Sequence, residues 1–369
     1  MKFAITTDKI QAALAAVTTV VPAKSTLPIL GNILIETDSK AIKIFATDLE
    51  ISITTLIEAK VVKKGSIAIP ARAFTEIINA LPQTEIEIES INNRAELRFA
   101  SGNYKLSGMP ADEFPKLPDV NVSKKIKLPA DTFCKMIQKS AFAVSTDETR
   151  PALNGVLWQT ASEKMKMVAT DGHRLAKYEV ENNKLQGLYD DIIVPSRALN
   201  LVGKLTSEGV AEISVIFGEN NIVFICANNT ISSRIIEGPY PNYEQVIPTA
   251  NDKSLIVSKS QLTDVVKRVA ILSNSLTRQV KFTIEPDILT VSATNVDLGG
   301  EAVETMPCSY DGEKMEIGYN ATYILDILKQ IDGGEIKIAL SSPVAAGVIT
   351  SVDEKEDYLC LIMPLRLAD

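Results

Sequence analysis

Apolar residues along the first third of the chain alternate between helical and strand-like spacing. In TTDKIQAALAAVTTVV, Ile10, Leu14 and Val17 fall on one helical face, with Thr7 or Asp8 as the cap. The strings NILIE, IKIFATD and EISITTLIEA then alternate apolar and polar residues and are rich in β-branched types, which predicts strands. A second helix in IPARAFTEIINALP and further strands complete an order of helix, strands, helix, strands.

This order repeats in the middle and last thirds of the chain. A shared marker, Ala-Thr-Asp or Ala-Thr-Asn, begins at Ala46, Ala169 and Ala293, which are spaced by close to one third of the chain length. Six helices are predicted, at residues 8–21, 71–81, 130–144, 196–205, 259–272 and 320–331. A period of this length indicates repeated domains, each long enough to bury its own core. The sequence therefore predicts an α+β fold of three similar repeated domains, at residues 1–120, 121–250 and 251–369.

Two proline-rich strings stand near the predicted domain boundaries. PADEFPKLP covers residues 110–118, and GPYPNYEQVIP covers residues 238–248. Because proline fixes the backbone and donates no hydrogen bond to a sheet, both strings are predicted to be extended linkers.

Composition narrows the class of protein. Only 5% of the 369 residues are aromatic although 46% are hydrophobic, so the cores must be aliphatic. No apolar run reaches the length of a membrane span, and the first residues lack the features of a signal peptide, which predicts a cytosolic protein. The four cysteines lie far apart without a CxxC pair, and no phosphate-binding or dinucleotide loop occurs. No metal or other cofactor is expected.

The formal net charge of −8 argues against a nucleic-acid partner, but its distribution does not. The six predicted helices carry ten basic and five acidic residues, so the excess of acid lies in the strands and loops. If the helices share a face, that face is positive and attracts phosphates weakly. The alternative is that these residues form ordinary solvated helix faces.

The stretch VATDGHRLA contains the only histidine of the chain, His173, and the best enzymatic candidate. Asp171 could orient His173 as a base toward a nearby serine or threonine hydroxyl, which is the chemistry of a hydrolase or transferase. Residues two apart on a strand face opposite ways, so a turn at Gly172 would be required. The alternative is that His173 is a structural or contact residue.

An apolar surface groove is the second candidate. The segments HRLA, Tyr240–Pro248 and the C-terminal MPLRL place apolar residues next to proline and glycine. If these segments converge, they form a groove that suits a short peptide with aliphatic or aromatic anchors. The alternative is that MPLRL is only a last strand of the third core.

Several motifs resemble those of the bacterial DNA polymerase III β subunit family, the sliding clamps. They cover the chain from end to end: TLPILGN, RPALNGV, VATDGHRLA, VPSRAL, GPYPNYEQVIP and the terminal MPLRL. The resemblance implies a non-enzymatic head-to-tail homodimer that forms a ring around duplex DNA, with helices lining the hole and antiparallel sheets outside. It also implies sequence-independent contacts with DNA, and partner proteins that carry short clamp-binding peptides, among them the polymerase α subunit and the clamp loader. No membrane partner is implied.

The resemblance assigns residues to three surfaces. The groove for partner peptides would contain Leu153, Thr170, Gly172, His173, Arg174, Leu175, Pro241, Val246, Val344, Ala346, Leu361, Met363, Pro364, Leu365 and Arg366. The DNA-facing residues would be Lys24, Arg72, Lys135, Lys139, Arg150, Arg197, Lys204, Lys267 and Arg268. The dimer contact would join Tyr104 and Leu106 of one chain to Ile271 and Leu272 of the other. Gln245 and the pair Pro151-Ala152 depart from some family members, which affects the expected peptide preference.

Overall fold

The computed structural model describes residues 1–116, 124–160, 163–181, 191–206, 209–353 and 356–367. These residues form two compact units, Met1–Cys134 with Arg197–Ile235 and Lys135–Ser196 with Ile236–Asp369. In the described part of the first unit, the strands form an eight-stranded and a five-stranded sheet. In that of the second unit, they form a nine-stranded and a four-stranded sheet.

All six predicted helices are confirmed, with ends that differ from the predicted ones by at most four residues. They are α1 Thr7–Val17, α2 Ala71–Ala80, α3 Ala130–Ser140, α4 Ser196–Leu205, α5 Lys259–Val269 and α6 Ala321–Gln330. The first helix of each repeat continues into a short 3-10 turn, at Thr18–Val20, Ala141–Ala143 and Ala270–Leu272. The prediction that Thr7 or Asp8 caps α1 is wrong, because Thr6 is the N-cap and the Thr7 hydroxyl donates to the Pro82 carbonyl instead.

The strands follow the predicted order in each repeat. The first repeat contains β1 Lys2–Thr6, β2 Asn32–Thr37, β3 Ala41–Thr47, β4 Ile51–Glu58, β5 Lys60–Lys63, β6 Gly65–Pro70, β7 Glu85–Ile91, β8 Arg94–Phe99 and β9 Gly102–Ser107. The second contains β10 Lys124–Pro129, β11 Gly155–Gln159, β12 Lys164–Thr170, β13 Arg174–Glu181, β14 Ile192–Pro195, β15 Glu212–Phe217, β16 Asn221–Cys226 and β17 Asn229–Arg234. The third contains β18 Lys253–Ser258, β19 Gln279–Glu285, β20 Ile288–Asn295, β21 Gly300–Pro307, β22 Ser309–Tyr310, β23 Met315–Asn320, β24 Glu335–Leu340, β25 Gly347–Ser351 and β26 Asp357–Ile362.

Two of the sheets each join strands of successive repeats. Within the first unit, β4 of the first repeat pairs antiparallel with β17 of the second. Within the second unit, β13 of the second repeat pairs antiparallel with β26 of the third. In both cases the strand after the Ala-Thr-Asp marker pairs with the last strand of the next repeat. We call these pairings the first joint and the second joint.

The equivalent strands at the two ends of the series lie at sheet edges. The five-stranded sheet has the order β5-β1-β7-β8-β9, and the four-stranded sheet has the order β21-β20-β19-β23. The last strand of the first repeat, β9, and the strand after the third marker, β21, therefore have no neighbour on one side among the strands that the structure describes. An exposed edge strand is a template for pairing with another chain.

The cores are built from the residues that the sequence pattern places on one face of each element. In α2, Ala71, Phe74 and Ile78 are buried while Arg72 and Glu76 are exposed. In β19, every second residue from Val280 to Ile284 is buried, which is the period of a strand with one face on the core. The aliphatic residues of the cores are supplemented by a few aromatic side chains, of which Trp158 is fully buried.

The two proline-rich strings are not simple extended linkers. Phe114 is 4% exposed and meets Phe45 edge-on, with ring centroids 5.4 Å apart, in a cluster with Leu34 and Ala68. In the second string Tyr243 is 6% exposed and begins a short 3-10 turn, Tyr243–Val246. The prediction failed because aromatic residues in each string supply anchors that proline content does not reveal. Leu117 and Pro118, which end the first string, and the predicted boundary at residues 120 and 121 lie outside the described residues.

Candidate functional site

Two of the three segments predicted to converge, HRLA and Tyr240–Pro248, meet in one apolar cluster of the second unit. Its buried members are Leu157, Val168, Leu175, Ile193, Tyr243, Ala346 and Leu361. Leu175 and Leu361 face each other across the second joint. Tyr240 and Ile247 of the proline-rich string are partly buried against the same cluster. The cluster is therefore the floor of a surface site to which HRLA and the proline-rich string contribute.

Two tyrosine hydroxyls of the proline-rich string form hydrogen bonds with neighbouring strands of the site. The Tyr240 hydroxyl accepts a hydrogen bond of 3.1 Å from the Thr170 backbone N–H. The Tyr243 hydroxyl donates to Gln159 over 2.7 Å. Burial raises the pKa of both tyrosines above the ordinary value, so both remain neutral. Sequence reasoning did not single out these tyrosines, although two aromatic residues in a proline-rich surface string were a usable signal.

The C-terminal segment continues past the second joint and completes the site. The Met363 backbone N–H donates to the His173 carbonyl over 2.8 Å, and Leu365 forms a bridge with Gly318 of β23. Exposed apolar side chains remain around the floor: Val246 is 54% exposed, Val344 71% and Met363 40%. The alternative that MPLRL is only a last strand is wrong, because β26 ends at Ile362, before these residues.

The turn Asp171–Arg174 is held by its own side chains. The Asp171 carboxylate accepts from the backbone N–H groups of His173 and Arg174 over 2.8 and 2.9 Å, and from Nε of Arg174 over 3.1 Å. Gly172 has a φ of +90°, a conformation that other residues rarely adopt. A Cβ atom there would also lie 3.1 Å from Nη1 of Arg150. Arg150, predicted to face DNA, therefore lies against this turn, where Asp147 pairs with it.

Arg174 is a structural anchor beneath the site. Its side chain is only 10% exposed. Nη1 donates to Asp326 of α6 over 2.6 Å, and Nη2 donates to the Phe142 carbonyl over 3.0 Å. The guanidinium group lies over the rings of Tyr323 and Phe142, 4.5 and 5.4 Å from their centroids. Arg174 thus connects the turn to α6, and its hydrogen-bonding groups are used inside the protein. Neither aromatic ring was identified from the sequence.

The geometry gives no support to an enzymatic centre at His173. The Asp171 carboxylate is occupied by backbone groups and by Arg174, and the described residues contain no hydrogen bond between it and the imidazole ring. The exposed His173 ring stacks on Tyr323, with centroids 6.3 Å apart. Among the described residues, no group of His, Cys, Asp or Glu side chains is placed to hold a metal ion.

Most of the predicted DNA-facing residues are already paired with carboxylates. Four of them form these ion pairs: Arg72 with Glu76, Lys135 with Glu356, Arg197 with Asp48 and Arg268 with Glu304. Three others are exposed and form no ion pair within the described part of the chain: Lys24, Lys204 and Lys267. Half of the ten basic residues on the predicted helices therefore have a carboxylate partner within the described part of the chain.

Lys139 does not face solvent, so the prediction that it faces DNA is wrong. Its side chain is 3% exposed, and Nζ donates to the Gln330 carbonyl and to Asp332, 2.9 Å away. Nζ also lies 4.9 Å from the centroid of the Tyr358 ring. The resemblance placed Lys139 on the DNA-facing surface, but contacts from the third repeat cover that position.

The fold and the site define a threefold repeat protein with an apolar surface site in its second unit. Family models of the DNA polymerase III beta subunit match its N-terminal domain at residues 1–118, its central domain at 127–242 and its C-terminal domain at 244–366. The chain is 32% identical to the beta sliding clamp of Chlamydia pneumoniae over 370 residues, which cover 100% of both chains. The chain belongs to the DNA polymerase III beta subunit family, the bacterial beta sliding clamps.

Solved structures agree with this assignment. The chain superposes on a DnaN sliding clamp from Bartonella birtlesii with a TM-score of 0.95 at 31% identity, and 100% of each chain is covered. It superposes on a Caulobacter crescentus beta sliding clamp with a TM-score of 0.94 at 31% identity, again over 100% of each chain. The predicted fold of three repeated domains is confirmed, while the predicted boundaries between the domains stay predictions. Within the described ranges, none of the helices has the length and apolar character needed to cross a membrane.

Proposed function

We propose that this sliding clamp closes into a ring around duplex DNA as a head-to-tail homodimer, that it acts in the cytoplasm and that it catalyses no reaction itself. One observation carries the proposal. The strands equivalent to β9 and β21 form the first and second joints, whereas β9 and β21 themselves are sheet edges. A third joint between β21 of one copy and β9 of another would continue the series. Because the contact is heterologous, two such joints close a dimer only if the rotation is correct.

The residues predicted at the dimer contact lie at these two edges. Tyr104 and Leu106 belong to β9, and Tyr104 is 42% exposed. Ile271 is 73% exposed in the turn after α5. Leu272 packs over Gly300 at the start of β21, where a Cβ atom would lie 3.1 Å from its side chain. The exposed side chains of Tyr104 and Ile271 support a contact that removes them from water.

For contact with DNA we propose the exposed lysines that have no ion pair among the described residues, which are Lys24, Lys204 and Lys267. The arginines would contribute less, because a phosphate must displace the carboxylate that each already contacts. Few phosphate contacts give weak, sequence-independent binding. Weak binding suits a protein that is held on DNA by ring closure and has to slide along it.

The groove is proposed to bind short peptides of partner proteins. Val246, Val344 and Met363 expose apolar side chains around a floor formed by Leu175 and Leu361. This composition suits aliphatic or aromatic anchors of a replicative polymerase, a clamp loader or other proteins that share such a peptide. Because the Arg174 guanidinium group is hydrogen-bonded within the protein, its role would be to hold the turn. His173 and Arg150 would contact the peptide directly.

Retention on DNA should depend on the topology of the DNA. Clamp loaded on a nicked circular plasmid should remain bound through gel filtration, and most of it should be lost once the plasmid is linearised, because a ring slides off a free end. The measurement is the fraction of clamp that elutes with DNA in each case. Equal retention on both forms would contradict topological binding.

Charge reversal supplies the matched control for this experiment. The triple variant Lys24→Glu, Lys204→Glu and Lys267→Glu should load poorly but show the same ratio of retention between circular and linear DNA. Reversal of Lys64 and Lys314, which pair with acidic residues on strand hairpins, should leave loading unchanged. If the triple variant loads normally, the proposed DNA contacts are wrong.

A further inference from the structure

The repeat fixes a register for the third joint, and this inference rests on the proposed dimer. In the first joint Ser52 faces Ser232, and in the second Leu175 faces Leu361. Ser52 and Leu175 are equivalent, because each pairs in its own hairpin with the threonine of the marker. In the third repeat the marker threonine, Thr294, pairs with Glu301. Glu301 is therefore the residue of β21 at this position.

The last strand of each repeat can be aligned independently. The alignment begins at the residue two positions before the first helix of each repeat, which pairs with a residue on a second strand. The residue two positions further along that second strand pairs with a third strand, and its partner there pairs with the last strand of the repeat. The path ends at Tyr104 in the first repeat, Ile231 in the second and Cys360 in the third. The next residues along are Lys105, Ser232 and Leu361. Ser232 and Leu361 are the residues that face Ser52 and Leu175, so the two alignments agree.

We propose that Glu301 of one copy faces Lys105 of the partner subunit in the third joint and that this charge pair fixes the register of the dimer. Both side chains are exposed in the single chain. Lys105 also stands opposite Glu96 on its other side, so it would lie between two carboxylates on three adjacent strands. In the same register Gly300 faces the partner's Leu106, and Ala302 faces the partner's Tyr104. Leu272 packs over Gly300 in the single chain. In this register the Leu272 side chain would therefore contact the partner's Leu106.

Opposite charges directly across two strands are favourable, and like charges there are unfavourable. Every substitution counts twice, because a closed dimer contains two such joints. Glu301→Lys alone and Lys105→Glu alone should therefore each weaken the dimer by about tenfold or more. The double variant Glu301→Lys with Lys105→Glu should recover most of that loss.

The dimer dissociation constant of each full-length variant can be measured by sedimentation velocity over a dilution series. Glu316→Lys is the matched control, because it makes the same charge change on β23, at the opposite edge of the same sheet. It should leave the constant unchanged. The register is wrong if the wild type dimerises but the single variants have the same dissociation constant as the wild type. It is also wrong if the double variant dimerises no more tightly than either single variant. In both cases the proposed dimer itself remains supported. A monomeric wild type at micromolar concentration would overturn both.

Cross-linking tests the register without a change of charge. Under a mild oxidant such as copper phenanthroline, Ala302→Cys with Tyr104→Cys should give disulfide-linked dimers, because directly opposed residues lie within reach of a disulfide. The offset pair Val303→Cys with Tyr104→Cys places the thiols on opposite faces and should link far less. Equal or greater yield from the offset pair would overturn the register.

Discussion

Truncation of the chain after Ile362 should abolish binding of partner peptides and leave the dimer intact. The removed segment supplies Met363, which is 40% exposed beside the groove, and the bridge from Leu365 to Gly318. Loss of an apolar anchor site and of the backbone that shapes it should reduce affinity by about 100-fold or more. Fluorescence anisotropy with a labelled clamp-binding peptide measures the affinity, and sedimentation measures the dimer.

A single substitution tests the groove without removing the C-terminal segment from the third domain. Met363→Asp keeps the backbone hydrogen bond to His173 but places a charge where an apolar anchor would bind. Ile288→Asp is the matched control, because Ile288 is a similarly exposed aliphatic residue, 48% exposed, outside the proposed groove. We expect a large loss of affinity for Met363→Asp alone. Equal affinity of the two variants would place the peptide elsewhere on the clamp.

Lys139→Met should destabilise the protein, although Lys139 has no place on the DNA-facing surface. The ammonium group is buried, donates to the Gln330 carbonyl and Asp332, and lies against the Tyr358 ring. Asp332 is itself 67% exposed, so the main cost is the loss of the donor to the Gln330 carbonyl, about 2 kcal/mol. Thermal unfolding should therefore begin several degrees lower. Lys135→Met is the control, because both lysines contact Asp332 and Glu356 but Lys135 is 40% exposed. An equal loss of stability in both variants would contradict a special role for burial.

The same network should make stability depend on acid pH. The hydrogen bond from Lys139 lowers the pKa of Asp332 below its ordinary value. Asp332 therefore stabilises the folded state above its unfolded pKa, and this contribution is lost as pH falls through the lower folded pKa. In Lys139→Met, this part of the acid dependence below about pH 4 should be weaker.

The sequence predicted the elements well because their apolar spacing is regular and recurs three times. Each repeat supplies the same helix, marker and strand pattern, so an error in one copy would have conflicted with the other two. The meeting of HRLA with the proline-rich string, at Leu175 and Tyr243, was also predictable in outline, since both segments place apolar residues beside proline or glycine. Which residues would face solvent was harder to predict.

The failures share one physical cause, which is contact between elements far apart in the chain. Lys139 was predicted to face DNA but is covered by residues near Gln330 and Tyr358. Phe114 anchors a string whose prolines suggested a free linker. Arg174 was assigned to the groove surface, yet Asp326 and two aromatic rings enclose it. Helical spacing and composition carry no information about such distant partners.

The three joints differ in the residue pair at their aligned position, and this difference determines how many partners the proposed ring can hold at a time. Leu175 and Leu361 make that position an apolar floor in the second joint, whereas Ser52 and Ser232 make it polar in the first. The proposed Glu301 and Lys105 pair would make it charged in the third. Only one joint per chain then suits an aliphatic anchor, so a dimer has a valency of two. Isothermal titration should give two peptides per dimer, and a value of four or six would contradict this. Two unlike proteins would share one ring, and a third would have to wait for either to leave.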